Sequence, residues 1–380
     1  MRYYIIAGEA SGDLHGSNLI KGILAEDPQA EFRFWGGDLM SEVAGEENLA
    51  KHYKEASFMG FWEVFKNLGT VLGQIKECKR DILAFAPDVV ILIDYAGFNL
   101  RIAKFAKEHG IRTFFYIAPK VWAWKEKRVK KIKKYVDQLF IIFPFEKEYF
   151  KKWGIDAVYC GNPLMDSIEE RKKNLPSKED FFAENNLDER PVIALLAGSR
   201  RHEIDYNFPF MIELSKHFPD YQFVVAGVSW LDKSVYENHM TGSDVKYVRD
   251  KTYELLSFSS AAVVTSGTAT LETALLGVPE FICFWCSWFS YAVAKNFLKI
   301  KYISLVNLVM DREVVKELIQ KDMNMKMAVA ELRAILAGGD KYDRILSDYK
   351  ELNEAIGGSG ASRRTAAEMV GILRKEGIKA

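Results

Sequence analysis

The chain has 380 residues, 49% of them hydrophobic and 27% charged, a length that suits two domains and a composition that excludes extended disorder. Lys plus Arg number 52 and Asp plus Glu 52, so no global charge pulls the chain toward nucleic acid or membrane. Four cysteines (Cys78, Cys160, Cys283 and Cys286) are too few and too scattered for a disulfide framework, and Cys283-Phe-Trp-Cys286 lacks a second pair to complete a zinc site.

The N-terminus, Met1–Ala7, runs straight into a glycine turn as a first β-strand does, with no sign of a signal peptide. No apolar stretch approaches the ~20 residues of a spanning helix, so the chain reads as soluble or peripheral, and cytoplasmic. Short apolar runs at Tyr3–Ala7, Phe32–Trp35, Val89–Ile93, Thr113–Ile117 and Leu139–Phe143 predict buried strands. Helix-length stretches such as Asp13–Glu26 and Leu100–His109 lie between them. This alternation predicts a parallel sheet covered on both faces. Asp166–Arg190 is charged and strand-free and reads as a linker. The alternation restarts at Val192–Ala197, Gln222–Ala226, Ala261–Thr265 and Phe281–Phe284, where the two cysteines read as small buried hydrophobes. From Arg312 the tail reads as helical, with a Gly357-Gly-Ser-Gly360 hinge. The expected organisation is an N-terminal domain over 1–166, a linker over 167–190, a second doubly wound domain over 191–356 and a final helix over 361–380 that can pack back on the first domain.

In such α/β folds the chemistry sits in loops after the strands. Gly8-Glu9-Ala-Ser11-Gly12-Asp13 follows the first strand. Its spacing is not the dinucleotide fingerprint, and its two carboxylates would repel a pyrophosphate, so an acceptor sugar suits it better. Ser11 or Asp13 can equally cap the next helix. Asp94 ends an apolar strand, where a carboxylate can serve as a general base or shape a turn. Gly198-Ser199-Arg200 combines a cradle of small residues with a guanidinium suited to phosphate. Ser266-Gly267-Thr268 offers amides and hydroxyls to phosphate at a helix N-terminus, with Glu272 one turn later able to accept ribose hydroxyls; the same residues can form a helix cap. Asn307 is a polar group in apolar company that needs a backbone or ligand partner.

Two patches remain. Phe58, Phe61, Phe65, Leu68 and Leu72 recur at helical spacing beside Met59, and can receive acyl chains, touch a bilayer, or form an ordinary core face. Lys125–Lys134 holds seven basic residues in ten just after Trp122-Ala-Trp124. This suits the headgroup zone of an anionic membrane or a solvated helix held by Val129, Ile132 and Val136; no recognisable nucleic-acid motif accompanies it.

Taken in order, Gly8-Glu-x-Ser-Gly-Asp13, Met59-Gly-x-x-Glu-Val64, Ile93-Asp94 with Phe98-Asn99, Pro119-x-Val-Trp-Ala-Trp124, Pro144-Phe-Glu146, Gly198-Ser-Arg200, Ser266–Glu272 and Ser304-Leu-x-Asn-Leu308 resemble the lipid-A-disaccharide synthase family. The resemblance runs from about Tyr3 to Gln320. It implies a GT-B glycosyltransferase: α/β, with two Rossmann-like domains facing a cleft. It further implies an inverting, metal-independent transfer with no cofactor, from UDP-2,3-diacylglucosamine to 2,3-diacylglucosamine 1-phosphate (lipid X), at the cytoplasmic face of the inner membrane.

By motif, Asp94 is the candidate base and Arg200 the residue that serves the donor diphosphate. Substrate binding falls to Gly8, Glu9, Ser11, Gly12, Asp13, Met59, Phe61, Phe65, Asn99, Trp122, Gly198, Ser199, Ser266, Gly267, Thr268, Glu272 and Asn307. The sequence departs from the family pattern where Tyr95-Ala96-Gly97 replaces a segment with a second acid, and where Lys120 and Asn162 replace a serine and a histidine. The loss of the second acid leaves Asp94 without its nearest rival. Oligomeric state stays open, a homodimer included. A UDP-sugar epimerase of the same fold and a non-catalytic nucleotide-sugar or lipid binder are the alternatives.

Overall fold

The computed structural model describes residues 1–56, 68–119, 121, 127–286 and 301–377. The chain divides into two compact units, Met1–Ser167 with Ile356–Ala380, and Ile168–Ala355.

The first unit is built on β1 (Arg2–Ala7), β2 (Glu31–Gly36), β3 (Leu49–His52), β4 (Val89–Ile93), β5 (Arg112–Tyr116), β6 (Gln138–Ile141) and β7 (Ala157–Tyr159). They pair in parallel in the order β3-β2-β1-β4-β5-β6-β7. The continuous apolar runs follow from burial on both faces. Tyr4 and Ile6 enter one core cluster, while Tyr3, Ile5 and Ala7 enter the other, the period-two alternation of a strand.

The helix Ala361–Lys375 belongs to this first unit. Its Met369, Val370 and Leu373 share a core with Leu19, Ile20 and Ile23 of the helix Ala10–Glu26. Two side chains fix its start. Asp166 accepts from the amides of Gly360, Ala361 and Ser362 at 2.5, 3.2 and 2.8 Å. Arg364 donates to the carbonyls of Cys160, Ser359 and Gly357 at 2.8, 2.7 and 2.9 Å.

The second unit carries β8 (Val192–Leu196), β9 (Gln222–Gly227), β10 (Lys246–Arg249), β11 (Ser259–Thr265), β12 (Glu280–Phe284) and β13 (Glu317–Ile319), in the order β10-β9-β8-β11-β12-β13. All these pairs are parallel as well. One expectation is corrected. The tail after Arg312 is not wholly helical, because β13 pairs with β12 at the sheet edge. The stretch read as a linker contains the helices Leu164–Lys173 and Lys178–Glu184. Its charge is that of solvated helix faces. Ser177 accepts from the Asp180 amide at 3.1 Å as an N-cap, and Phe181 is fully buried, its ring 5.4 Å from that of Phe258.

Candidate functional site

In each sheet the chain order reverses once, between β1 and β4 in the first and between β8 and β11 in the second. Ligands of open α/β sheets bind beyond the strand carboxyl ends at such reversals. The two predicted loops of the first unit follow β1 and β4. Two of those of the second follow β8 and β11. Sheet pairing therefore makes each set neighbours.

At the first reversal, Gly8 lies against the loop after β4: a Cβ on it would meet the Tyr95 ring at 2.4 Å. Glu9 and Ser11 are exposed, and Gly12 is buried. Asp13 is buried and committed to the next element, accepting from the amides of Gly37, Leu39 and Met40 at 2.7, 3.1 and 3.1 Å. Burial raises its carboxyl pKa, against the pull of those three amides. Asp13 thus caps the helix Asp38–Ala44.

Asp94 is exposed, and both it and Tyr95 adopt φ 43°, a left-handed backbone that costs L-residues about 1–2 kcal/mol each. Asn99, fully buried, holds this strained turn by donating to the carbonyls of Ile93 and Asp94 at 3.1 and 2.8 Å. The Asp94 amide in turn donates to Tyr116 at 3.0 Å. Asn99 therefore positions the candidate base through its backbone and is not itself open to a ligand.

At the second reversal, Gly198 has φ +120°, and a Cβ there would lie 2.6 Å from that of Glu203. Glu203 accepts from the Ser199 amide at 3.0 Å and from Arg200 at 3.4 Å, so a carboxylate of the chain's own occupies part of the anion cradle. The Arg200 side chain is 72% exposed and can turn to a phosphate. Trp230, in the loop after β9, donates its indole N–H to the Ser199 carbonyl at 3.0 Å.

Across the reversal, Gly267 and Thr268 are exposed at the start of the helix Thr268–Leu275, while Ser266 donates its hydroxyl to the Ile303 carbonyl at 2.8 Å. Glu272 accepts from the Tyr253 hydroxyl at 2.8 Å, and the Arg171 guanidinium lies 4.5 Å from the centre of the Tyr253 ring. Burial raises the Glu272 pKa, opposed by Tyr253 and Arg171.

Asn307 is fully buried, and its amide is consumed by the chain. It accepts from Val314 and Val315 and donates to the Val315 carbonyl and to Glu317, at 2.8–3.0 Å. It stitches the approach to β13 to the helix Leu305–Met310 and has no donor or acceptor left for substrate. Asn162, where the family pattern has histidine, caps the helix Leu164–Lys173 by accepting from the Leu164 amide at 3.0 Å.

Met59, Phe61, Phe65 and Trp122 lie outside the described residues. Of the apolar run read over Phe58–Leu72, Leu72 is described and is 51% exposed. Val129 and Ile132 of the basic helix Lys127–Tyr135 are buried in the core, leaving Lys130 and Lys131 in solvent. Cys283 is buried but Cys286 is only partly so, and both are free thiols. Sequence reasoning missed Tyr253, Arg171, Glu203 and Trp230. Glu203, three residues past Arg200, carries a capping-box spacing that can be read from sequence; the other three depend on tertiary placement.

A family model described as lipid-A-disaccharide synthetase matches residues 3–369. The chain belongs to this family. The lipid-A-disaccharide synthase of Geobacter metallireducens is 36% identical over 382 residues, covering 99% of this chain and 98% of the relative. That of Syntrophus aciditrophicus is 34% identical, covering 98% and 97%. As a member of the lipid-A-disaccharide synthase family the chain is a glycosyltransferase of lipid A synthesis.

Solved structures share the fold. The UDP-GlcNAc 2-epimerase of Neisseria meningitidis bound to UDP-GlcNAc has a TM-score of 0.66 at 14% identity, covering 97% of this chain and 99% of its own. The calicheamicin glycosyltransferase CalG4 has a TM-score of 0.59 at 12% identity, covering 99% and 98%. Among the described residues no helix is long and apolar enough to cross a membrane.

Proposed function

We propose that the protein transfers 2,3-diacylglucosamine from UDP to the 6-hydroxyl of lipid X, giving the β-1,6-linked disaccharide 1-phosphate and UDP with inversion. The observation that carries this reading is the placement of an exposed carboxylate, Asp94, at the reversal of one sheet and of an exposed guanidinium, Arg200, at the reversal of the other.

Asp94 takes the proton of the attacking hydroxyl. Arg200 and the amides at Gly267–Thr268 neutralise the diphosphate as charge develops on it, which is stabilisation aimed at the transition state and makes a divalent metal unnecessary. Glu272 accepts ribose hydroxyls. The Phe58–Leu72 segment holds acyl chains, and the helix Lys127–Tyr135 attracts anionic lipid at the inner face of the inner membrane.

The test is release of UDP from UDP-2,3-diacylglucosamine with and without lipid X. Release that requires lipid X and yields a β-linked disaccharide supports the proposal. Isomerisation of the donor sugar alone would identify an epimerase, and binding without release a non-catalytic protein.

A further inference from the structure

The second unit contains a charged and aromatic stack that joins Glu272 of the Ser266–Glu272 motif to two residues outside every recognised motif, Tyr253 and Arg171. Glu272 sits one turn into the helix Thr268–Leu275, Tyr253 in the helix Thr252–Ser257 after β10, and Arg171 in the helix Leu164–Lys173. The Tyr253 hydroxyl donates to one carboxylate oxygen of Glu272 at 2.8 Å, and the Arg171 guanidinium covers the ring of Tyr253 at 4.5 Å. We infer that Tyr253, braced by Arg171, is a positioning residue that fixes the Glu272 carboxylate for recognition of the donor's ribose hydroxyls. This rests on the reading of Glu272 as the ribose-binding acid.

A glutamate side chain has three rotatable torsions, and a carboxylate that must accept two hydroxyls in one plane gains most from being held before the ligand arrives. Donation by Tyr253 to Oε1 fixes the plane of the carboxylate and leaves Oε2, together with the second lone pair of Oε1, for the ligand. Loss of water around this partly buried carboxylate disfavours its charged form. A phenolic donor and a nearby cation both favour the charged form that accepts hydroxyls. The guanidinium on the ring face restrains the tyrosine without consuming its hydroxyl. Helix capping explains none of this, because Glu272 is bonded to a side chain from another element and not to the amides of its own first turn.

Binding of UDP and of 2′-deoxy-UDP to the full chain, measured by titration calorimetry, tests the inference. The wild type should prefer UDP. Tyr253→Phe keeps the ring under Arg171 and removes only the hydroxyl. It should weaken UDP about tenfold, the size of one hydrogen bond to a charged group, and 2′-deoxy-UDP by less than about twofold. In turnover, KM for the donor rises by a similar factor while kcat changes little. Arg171→Met, which spares the hydrogen bond, should lower the preference for ribose in the same direction by about two- to threefold.

Equal weakening of both nucleotides in these variants, or unchanged preference in both, overturns the inference. Glu272→Gln separates the two levels. If it abolishes the ribose preference while Tyr253→Phe does not, the ribose reading stands and the positioning role falls. If Glu272→Gln keeps the preference, the ribose reading itself is wrong.

Discussion

Single side chains decide what the candidate site can do. Asp94 stands exposed on a backbone turn that most residues avoid, and Asn99 keeps it there from beneath. Asp94→Asn preserves shape and removes the base, so kcat should fall at least ~10²-fold; a change of only a few fold would reduce Asp94 to a binding role. Arg200→Ala should cost most of kcat/KM, with its largest effect on turnover because the charge it meets develops in the transition state; an unaltered kcat/KM would remove Arg200 from the mechanism.

A buried carboxyl bears on stability. Glu280 in β12 is fully buried, and neither of its oxygens has a hydrogen-bond partner among the described residues. Burial pushes its pKa well above the ordinary carboxylate range, which favours the neutral form in the fold. In the unfolded chain it ionises near ~4.3. The folded pKa is the raised one, so its stability contribution is complete below the unfolded value and is lost as pH rises toward the folded value. Urea unfolding of Glu280→Gln should gain on the wild type by about 1.4 kcal/mol per pH unit above pH 5; parallel pH dependences would mean that Glu280 is charged in the fold.

Among elements, the helix Ala361–Lys375 depends on a carboxylate from far back in the chain. Asp166→Ala would leave three amides at its start without that acceptor, costing about 2 kcal/mol in denaturant unfolding. An unchanged midpoint would show that water replaces the cap. The same distinction between local and distant partners explains what was legible in the sequence. Every interior strand was visible as an apolar run, since a strand covered on both faces must be apolar at successive positions. The four that were not visible, β3, β7, β10 and β13, are the four sheet edges. They span three or four residues and are only partly buried, so little hydrophobic signal distinguishes them from loop.

The site divides the same way. Loops that follow interior strands could be picked out by position. The uses of Asp13, Asn99 and Asn307 could not, because each bonds to backbone whose location only the fold determines. The two helices between Asp166 and Arg190 were not legible either, because charged faces with one buried anchor, Phe181, have the composition of connecting chain.

At the scale of the whole molecule, two sheets each bring their functional loops to one reversal point, and a match over residues 3–369 ties that arrangement to one family. The balanced total charge hides a concentrated cationic helix at Lys127–Tyr135. If that helix draws the protein to lipid, co-sedimentation with vesicles containing about a third anionic lipid should fall steeply with added salt. Glutamine at Lys130 and Lys131, both solvent-facing, should weaken it further. Salt-insensitive sedimentation would assign the attraction to apolar contact instead.

The first unit is assembled from both ends of the sequence, whereas the second is one uninterrupted stretch, Ile168–Ala355. During synthesis the helix Ala10–Glu26 therefore waits for its partner, Ala361–Lys375, while the whole second unit is made, roughly 10–40 s at ordinary translation rates. Leu19, Ile20 and Ile23 stay uncovered on that side for the interval. The uninterrupted unit thus has all its residues before the first unit does, the reverse of the order in which the two halves begin. Released chains truncated after residue 355 should show a protease-resistant second unit beside a first unit that is still cleavable at Ala10–Glu26.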